Sequence, residues 1–306
     1  MLTRETMKGL YALTVTPFDP AGNLDEDIYR ENVRILVAHG VNGIITCGTN
    51  GEFHTTTDKE RRRIARLVVE ETRGRAVAVA GASGVNTAES IARTRDAYEA
   101  GADAVMNVIP FYHVLSKVEA HQYFEDLSRA CPDIGIIIYN NPVTTQVRLD
   151  DHDFVRLQEI QNVCGVKMIG ADFGLYLNCL RRTTIQHFPL ENLWGISKEV
   201  GGNGVMASFL YAFPGYMMRW WRSIGGGELS TALRMQHEVN TLLQDAILPL
   251  IVTEGFNEIA ATKAVVDAAG FLRAGAPRKP FRSVPPERVR SLRATFENHF
   301  PHFLAN

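Results

Sequence analysis

The run Val163-Cys-Gly-Val-Lys-Met-Ile169 sets one lysine, Lys167, among apolar residues between Gly165 and Gly170. A short apolar run punctuated by glycine reads as a strand of a parallel sheet, buried on both faces. Burial disfavours an ammonium and leaves a neutral amine that can attack a carbonyl to form a Schiff base. The competing reading is a strand-end lysine neutralised by a carboxylate, and the run alone does not choose between them. Imine chemistry also needs a group that moves protons while the carbinolamine loses water, and donors that hold a substrate carboxylate. Tyr139 closes an Ile-rich stretch about one strand-and-helix unit before Lys167 and offers a phenol, although simple core filling would use the same residue. Gly48-Thr-Asn-Gly-Glu52 offers a hydroxyl, an amide and exposed backbone, or merely a turn ahead of a helix.

These positions meet only if the chain closes its strands into a ring. Residues 10–16 read as a strand ended by Pro17, followed by a helix capped at Asp25 with Tyr29, Val33, Leu36 and Val37 on one face. A strand over 43–47 leads into the Gly48 loop and a helix opened by the capping box of Thr57 and Glu60. Strands over 76–80, 104–108 and 134–139 alternate with helices begun at Asn86, at Lys117 and at Asp151. The junctions at 38–45 and 99–106 repeat one helix-glycine-strand pattern two units apart, the mark of a reused βα module. Further strands fit 192–196 and 204–208.

Eight such units predict an α/β fold, a TIM (β/α)8 barrel, with a doubly wound open sheet as the structural alternative. The carboxyl ends of a barrel's strands would gather Thr16, Thr49, Asn50, Ser83, Tyr112, Tyr139, Lys167 and Ser197 at one mouth. From Phe213 the pattern turns helical, with helices expected over 229–248 and 254–269 and a last one from Pro286. The expected organisation is a barrel with the active site over residues 1–212 and a helical region over 213–306 packed on it.

Composition narrows the class. The chain of 306 residues is 45% hydrophobic and 22% charged with a formal charge of -2, so it carries no basic field for nucleic acid. The cationic run Arg61-Arg-Arg63 lies beside Glu60, Glu70 and Glu71 on one helix and reads as a solvated face. Cys47, Cys131, Cys164 and Cys179 form no CxxC pair and read as buried thiols of a reducing compartment. Residues 1–9 lack a signal-peptide core and no stretch approaches the ~20 apolar residues that span a bilayer, so a cytoplasmic location is expected.

Four motifs in order carry a resemblance. Gly48-Thr-Asn-Gly-Glu52, Pro110-Phe-Tyr112, Tyr139-Asn-Asn-Pro142 and Gly165-Val-Lys167 resemble the dihydrodipicolinate synthase/N-acetylneuraminate lyase family, over Leu10 to about Pro286. The resemblance implies a class I, metal-independent lyase without cofactor, usually a homotetramer, acting on a 2-oxo acid and an aldehyde. It implies that Lys167 forms the imine with pyruvate or another 2-oxo acid, that Tyr139 shuttles protons, and that Thr49 with the backbone of Gly48 and Asn50 holds the carboxylate. Tyr112 matches a tyrosine that enters a neighbouring subunit's site, and Glu52 is expected to anchor its loop. Thr144, Ser197 and His113 are further candidate substrate contacts. His54 and His113 follow two of the motifs, but a loop histidine is as well read as structural, and neither has a carboxylate companion at metal-ligand spacing.

Three departures shape the expectation. Asn50 stands where the synthase has a second threonine linking two tyrosines, and Thr144, followed by Thr145, stands where it has an arginine for the carboxylate of aspartate semialdehyde. The interval 194–204 also reads as unusually short between the last two strands, with Lys198 and Glu199 as a surface pair. The segment 267–275 with Val284-Pro285 is more similar to the aromatic hydratase-aldolases of the family. The expected function is therefore an aldolase or hydratase-aldolase acting through a Lys167 imine. The rivals are dihydrodipicolinate synthase itself with Arg148 as substitute cation, a non-catalytic 2-oxo acid sensor, and a phosphate-binding barrel using Gly201-Gly-Asn-Gly204.

Overall fold

The computed structural model describes residues 2–305. Eight strands, β1 (Gly9–Leu13), β2 (Gly43–Thr46), β3 (Val77–Gly81), β4 (Ala104–Asn107), β5 (Gly135–Asn140), β6 (Val163–Met168), β7 (Gln186–Phe188) and β8 (Gly204–Ala207), form one parallel sheet in the order β7-β6-β5-β4-β3-β2-β1-β8. Neighbours in sequence are neighbours in space, β8 pairs with β1, and β7 lies beside β8 without a ladder, so the sheet is a nearly closed (β/α)8 barrel.

Both faces of each strand are buried, which is why the strands read as near-continuous apolar runs. Tyr11, Ile45, Val79, Met106, Ile137 and Phe188 fill the barrel, while Leu10, Ile44, Val105, Ile136 and Val166 face the surrounding helices. Those helices are α1 (Glu26–Ala38), α2 (Asp58–Thr72), α3 (Thr87–Glu99), α4 (Lys117–Ala130), the single turn α5 (Pro142–Thr145), α6 (Asp151–Leu157) and α7 (Phe173–Arg182). Their starts are encoded locally. Asp25 accepts from the Ile28 N–H, Asn86 from Glu89, and Thr57 and Ser116 form capping boxes with Glu60 and Glu119.

The seventh unit differs from expectation. Residues 192–196 are helical, not a strand: a 3-10 turn Glu191–Leu193 continues into α8 (Trp194–Ser197) and a second turn Lys198–Val200. Pro189 cuts β7 to three residues. The apolar content of 192–196 is spent elsewhere, since the Trp194 indole donates to the Pro189 carbonyl and its ring lies 4.9 Å from that of Trp220. The crossover from Phe188 to Gly204 thus contains its own helix and is not a shortened loop.

The C-terminal part comprises α9 (Pro214–Gly225), α10 (Leu229–Leu242), α11 (Leu248–Val252), α12 (Glu258–Ala269) and α13 (Pro286–His299). The expected long helix over 229–248 is interrupted by a π turn, Leu243–Ile247, ahead of Pro249, whose ring removes a backbone donor. One hydrophobic cluster runs from Leu10, Ala207 and Trp194 through Phe213 and Trp220 to Val266 and Phe296.

Candidate active site

The position of Lys167 depends on an irregularity. Pairing of β5 with β6 slips by one residue between Ile136 and Ile137, opposite Val163 and Gly165. A one-residue slip reverses the face on which every later side chain points, so Lys167 faces the barrel while Val166 and Met168 face the helices. Gly165 permits the slip, because a Cβ there would fall 2.4 Å from the Met7 sulfur. The resumed register pairs Tyr139 directly with Lys167.

Lys167 is 5% exposed, and its Nζ sits 4.4 Å from the centroid of the Tyr139 ring. Among the described residues no carboxylate lies within 4 Å of that nitrogen, so the neutralised-lysine reading does not hold. The Tyr139 hydroxyl is 3.2 Å from Thr49 Oγ1, linking β5 to the loop after β2.

That loop is held from behind. Cys47 and Glu52 both adopt left-handed backbone, and the loop carbonyls are occupied: Thr49 by the Glu52 N–H, Gly48 by the Phe53 N–H, Gly51 by Thr16 Oγ1 at 2.7 Å. Glu52, fully buried, meets Lys263 Nζ at 2.6 Å and accepts from the Arg278 N–H. The backbone N–H groups of Thr49 and Asn50 have no acceptor among the described residues, which leaves two free donors on residues that line the mouth.

A cavity of about 200 Å³ opens there, lined by Gly48, Thr49, Asn50, Tyr139, Thr144 and Lys167 among the expected residues. Thr144 is neutral and accepts from the Asn141 amide at 3.0 Å. Asn50 does not extend the Thr49–Tyr139 contact. Its Nδ2 donates to the Tyr211 hydroxyl at 3.3 Å, and its Oδ1 is buried without a partner.

Other expected residues lie elsewhere. Ser197, placed at a strand end by the misassigned seventh strand, is buried at the opposite, amino-terminal end of the barrel near Lys8, Asn42 and Asn203, where its hydroxyl donates to the Trp194 carbonyl. The Gly201–Gly204 turn lies at that same end, where a Cβ on Gly202 would strike the Tyr176 hydroxyl and one on Gly204 the Phe188 ring, while Gly201 holds left-handed backbone at φ 97°. Tyr112 is 82% exposed with His113 against it, outside the cleft. His54 is wedged between Phe53 and Phe281, and burial lowers its pKa. Arg148 donates to the Gly170 carbonyl and does not line the cleft. Lys198 and Glu199 are exposed and make no ion pair with each other among the described residues.

Three participants escaped the sequence. Ser208 and Glu258 line the cleft. Behind Ser208, Glu191 is buried and accepts from the Ser208 N–H at 2.5 Å and the Phe209 N–H at 3.3 Å. Burial raises its pKa, opposed by those N–H groups and by the charge of Lys167. A proline-terminated strand followed by a lone carboxylate was the only local signal. Among the described residues no group of three His, Cys, Asp or Glu side chains is arranged to hold a metal, and no helix is long and apolar enough to cross a membrane.

Fold and cleft define a (β/α)8 barrel enzyme with a lysine-centred mouth. The chain belongs to the dihydrodipicolinate synthetase family, whose model matches residues 6–299. Its members are lyases, and this protein is a lyase of the class I aldolase type. It is 26% identical over 292 residues to a 4-hydroxy-tetrahydrodipicolinate synthase of Desulfotalea psychrophila, covering 94% of this chain and 95% of that one. Among solved structures, PhdJ bound to a substrate intermediate superposes with a TM-score of 0.86 at 24% identity, covering 97% of this chain and 96% of that one. YagE, a prophage protein of Escherichia coli K12 in complex with pyruvate, does so with a TM-score of 0.86 at 19% identity, covering 95% and 98%. At these identities the two structures speak for the fold.

Proposed function

We propose that the protein binds a 2-oxo acid, pyruvate or a longer homologue, as an imine on Lys167 and makes or breaks a bond at C3 of that acid. The carrying observation is a buried amine without a carboxylate partner, stacked on Tyr139, whose hydroxyl touches Thr49. In this reading the N–H groups of Thr49 and Asn50 and the Thr49 hydroxyl take the carboxylate, which puts the C2 carbonyl against Nζ. Nζ adds to C2, Tyr139 relays a proton to the carbinolamine oxygen, and water leaves. Loss of a C3 proton gives an enamine that adds to an aldehyde carbon, the aldehyde oxygen taking up a proton; the reverse sequence cleaves the same bond. Assembly with further copies would use Tyr112, Val114 and Val118, which are exposed on the segment that leads from β4 into α4.

A second reading, dihydrodipicolinate synthase, is favoured by the name of the Desulfotalea psychrophila relative. It is disfavoured by the cleft, where Thr144 offers no cation and Arg148 is turned to Gly170. Borohydride reduction with pyruvate and longer 2-oxo acids, followed by peptide mass spectrometry, tests the imine. A reduced adduct on Lys167, lost in Lys167→Ala, is the expected result. A folded protein that stabilises thermally with these acids yet traps none would mean a sensor, and robust turnover of pyruvate with aspartate semialdehyde would establish the second reading.

A further inference from the structure

The half of the cleft left free by the 2-oxo acid has a definite electrostatic character. Of the side chains lining the cleft, only Lys167 and Glu258 are charged. Guanidinium and ammonium groups on neighbouring segments are committed: Arg148 to the Gly170 carbonyl, Arg278 to Glu60, Lys263 to Glu52, and Arg282 to the Glu254 and Gly255 carbonyls. Once Lys167 is held as a protonated imine beside the acid's own carboxylate, those two charges offset each other, and the remaining full charge on the wall is the Glu258 carboxylate. Glu258 opens α12, is exposed, and has no ion-pair partner among the described residues. Asn50 directs its amide nitrogen at the Tyr211 hydroxyl, leaving Oδ1 buried and unpartnered. Tyr211 lies close enough to Glu258 and Glu191 for both carboxylates to add to the effect of burial in raising its pKa.

We propose that Glu258 is a specificity-determining residue that selects a reaction partner without a second carboxylate, one presenting a hydroxyl group as donor to the Glu258 carboxylate. This rests on the imine reading and adds to it the chemical class of the second reactant, an uncharged hydroxyaldehyde. A distal carboxylate would meet Glu258 with no cation between them, and a like charge about 5 Å away at the mouth of a cleft weakens binding by tenfold or more. A distal hydroxyl donates to the same carboxylate. The bond chemistry is unchanged: the enamine carbon joins the aldehyde carbon, the aldehyde oxygen takes a proton, and water hydrolyses the imine to release the product and the Lys167 amine.

The test needs no knowledge of the natural aldehyde. Two 2-oxo acids of equal chain length, 2-oxoglutarate and 5-hydroxy-2-oxopentanoate, differ only in a distal carboxylate or hydroxyl. Each is titrated against the full-length protein with borohydride trapping on Lys167, and pyruvate, which has no distal group, is the reference. The expected result is half-saturation by the hydroxy acid at a concentration about tenfold or more below that for 2-oxoglutarate. In Glu258→Gln the gap should narrow by a similar factor, through better trapping of 2-oxoglutarate relative to pyruvate. Equal trapping of the pair while pyruvate is trapped, or a gap unchanged in Glu258→Gln, overturns the inference alone. No adduct with pyruvate overturns the imine reading and the inference with it.

Discussion

The loop that presents the Thr49 and Asn50 amides rests on a buried ion pair, and removing one member should cost far more than removing both. The side chains of Lys263 and Glu52 are 1% and 0% exposed, with Nζ and Oε1 2.6 Å apart. Lys263 Nζ also donates to the carbonyls of Thr16 at 2.8 Å and Ala276 at 3.0 Å, and lies 4.5 Å from the centroid of the Phe18 ring. Burial lowers the Lys263 pKa, and Glu52 pulls it back up. In Lys263→Met the Glu52 carboxylate keeps the Arg278 N–H as its donor while two buried carbonyls lose theirs. Stranding a buried charge in this way costs about 3–5 kcal/mol. Glu52→Gln with Lys263→Met removes both charges, so the double variant should be about 2–3 kcal/mol more stable than Lys263→Met alone. Urea unfolding of the four proteins yields this coupling directly. The loop connection adds a functional readout: Lys263→Met should raise the pyruvate concentration needed for half-maximal trapping, because Thr16 also holds the Gly51 carbonyl. Single-variant losses that add within about 0.5 kcal/mol would refute the account of what anchors the loop.

Three further outcomes are expected. Tyr139→Phe should slow imine formation by about a hundredfold or more, the usual contribution of a positioned proton carrier, whereas Thr49→Val, which removes the 3.2 Å contact, should cost about tenfold; equal rates in Tyr139→Phe and wild type would exclude the proton role. Burial holds the His187 imidazole down to about 3 from a usual 6.5. Below pH 6.5 the unfolded chain therefore takes up a proton that the folded chain refuses, and stability should fall by roughly 2–3 kcal/mol between pH 7 and 4.5. His187→Phe should flatten that part of the acid profile, and an unchanged slope in urea titrations at the two pH values would count against it. Gly81→Ala would put a methyl 2.2 Å from the Cys47 carbonyl, a backbone atom at the start of the substrate loop. It should destabilise by about 1–3 kcal/mol, and a neutral thermal midpoint would show that this approach is not tight.

The barrel was legible because its strands are buried on both faces, so each is an apolar run bounded by glycine or proline, and because Asp25, Thr57 and Asn86 cap the intervening helices within a few residues of chain. Lys167 was legible for the same reason, since an ionisable side chain in such a run conflicts with its surroundings. The seventh strand was not. Its three residues include Gln186 and His187, and the stronger apolar signal at 192–196 belongs to a helix that Trp194 anchors on Trp220. Ser197 was drawn into the site by that error. Glu258 and Ser208 stayed hidden for a different reason: they reach the cleft through packing of the C-terminal helices and the segment after β8, and nothing in their local sequence encodes that approach.

The two sides of the Lys167 cleft are built by different means, and this bears on what can vary. On the Tyr139 side a continuous ladder from β4 through β6, shifted once at Gly165, fixes the amine against the phenol by main-chain hydrogen bonds. On the other side the ladder ends at Phe188, paired with Lys167, and β7 does not pair with β8. The gap is bridged by Glu191, whose carboxylate takes the two N–H groups that follow β8. A buried carboxylate closing the seam also contributes a field that Lys167 experiences, so closure of the barrel and the electrostatics of the amine depend on the same group. Beyond it the wall is made of single residues from separate segments, Ser208, Asn50 and Glu258. In the proposed chemistry, substitutions at Ser208 or Glu258 would alter what the enamine meets without moving the amine, the phenol or the loop amides, which would tie imine formation to the strand ladder and partner choice to these separate side chains.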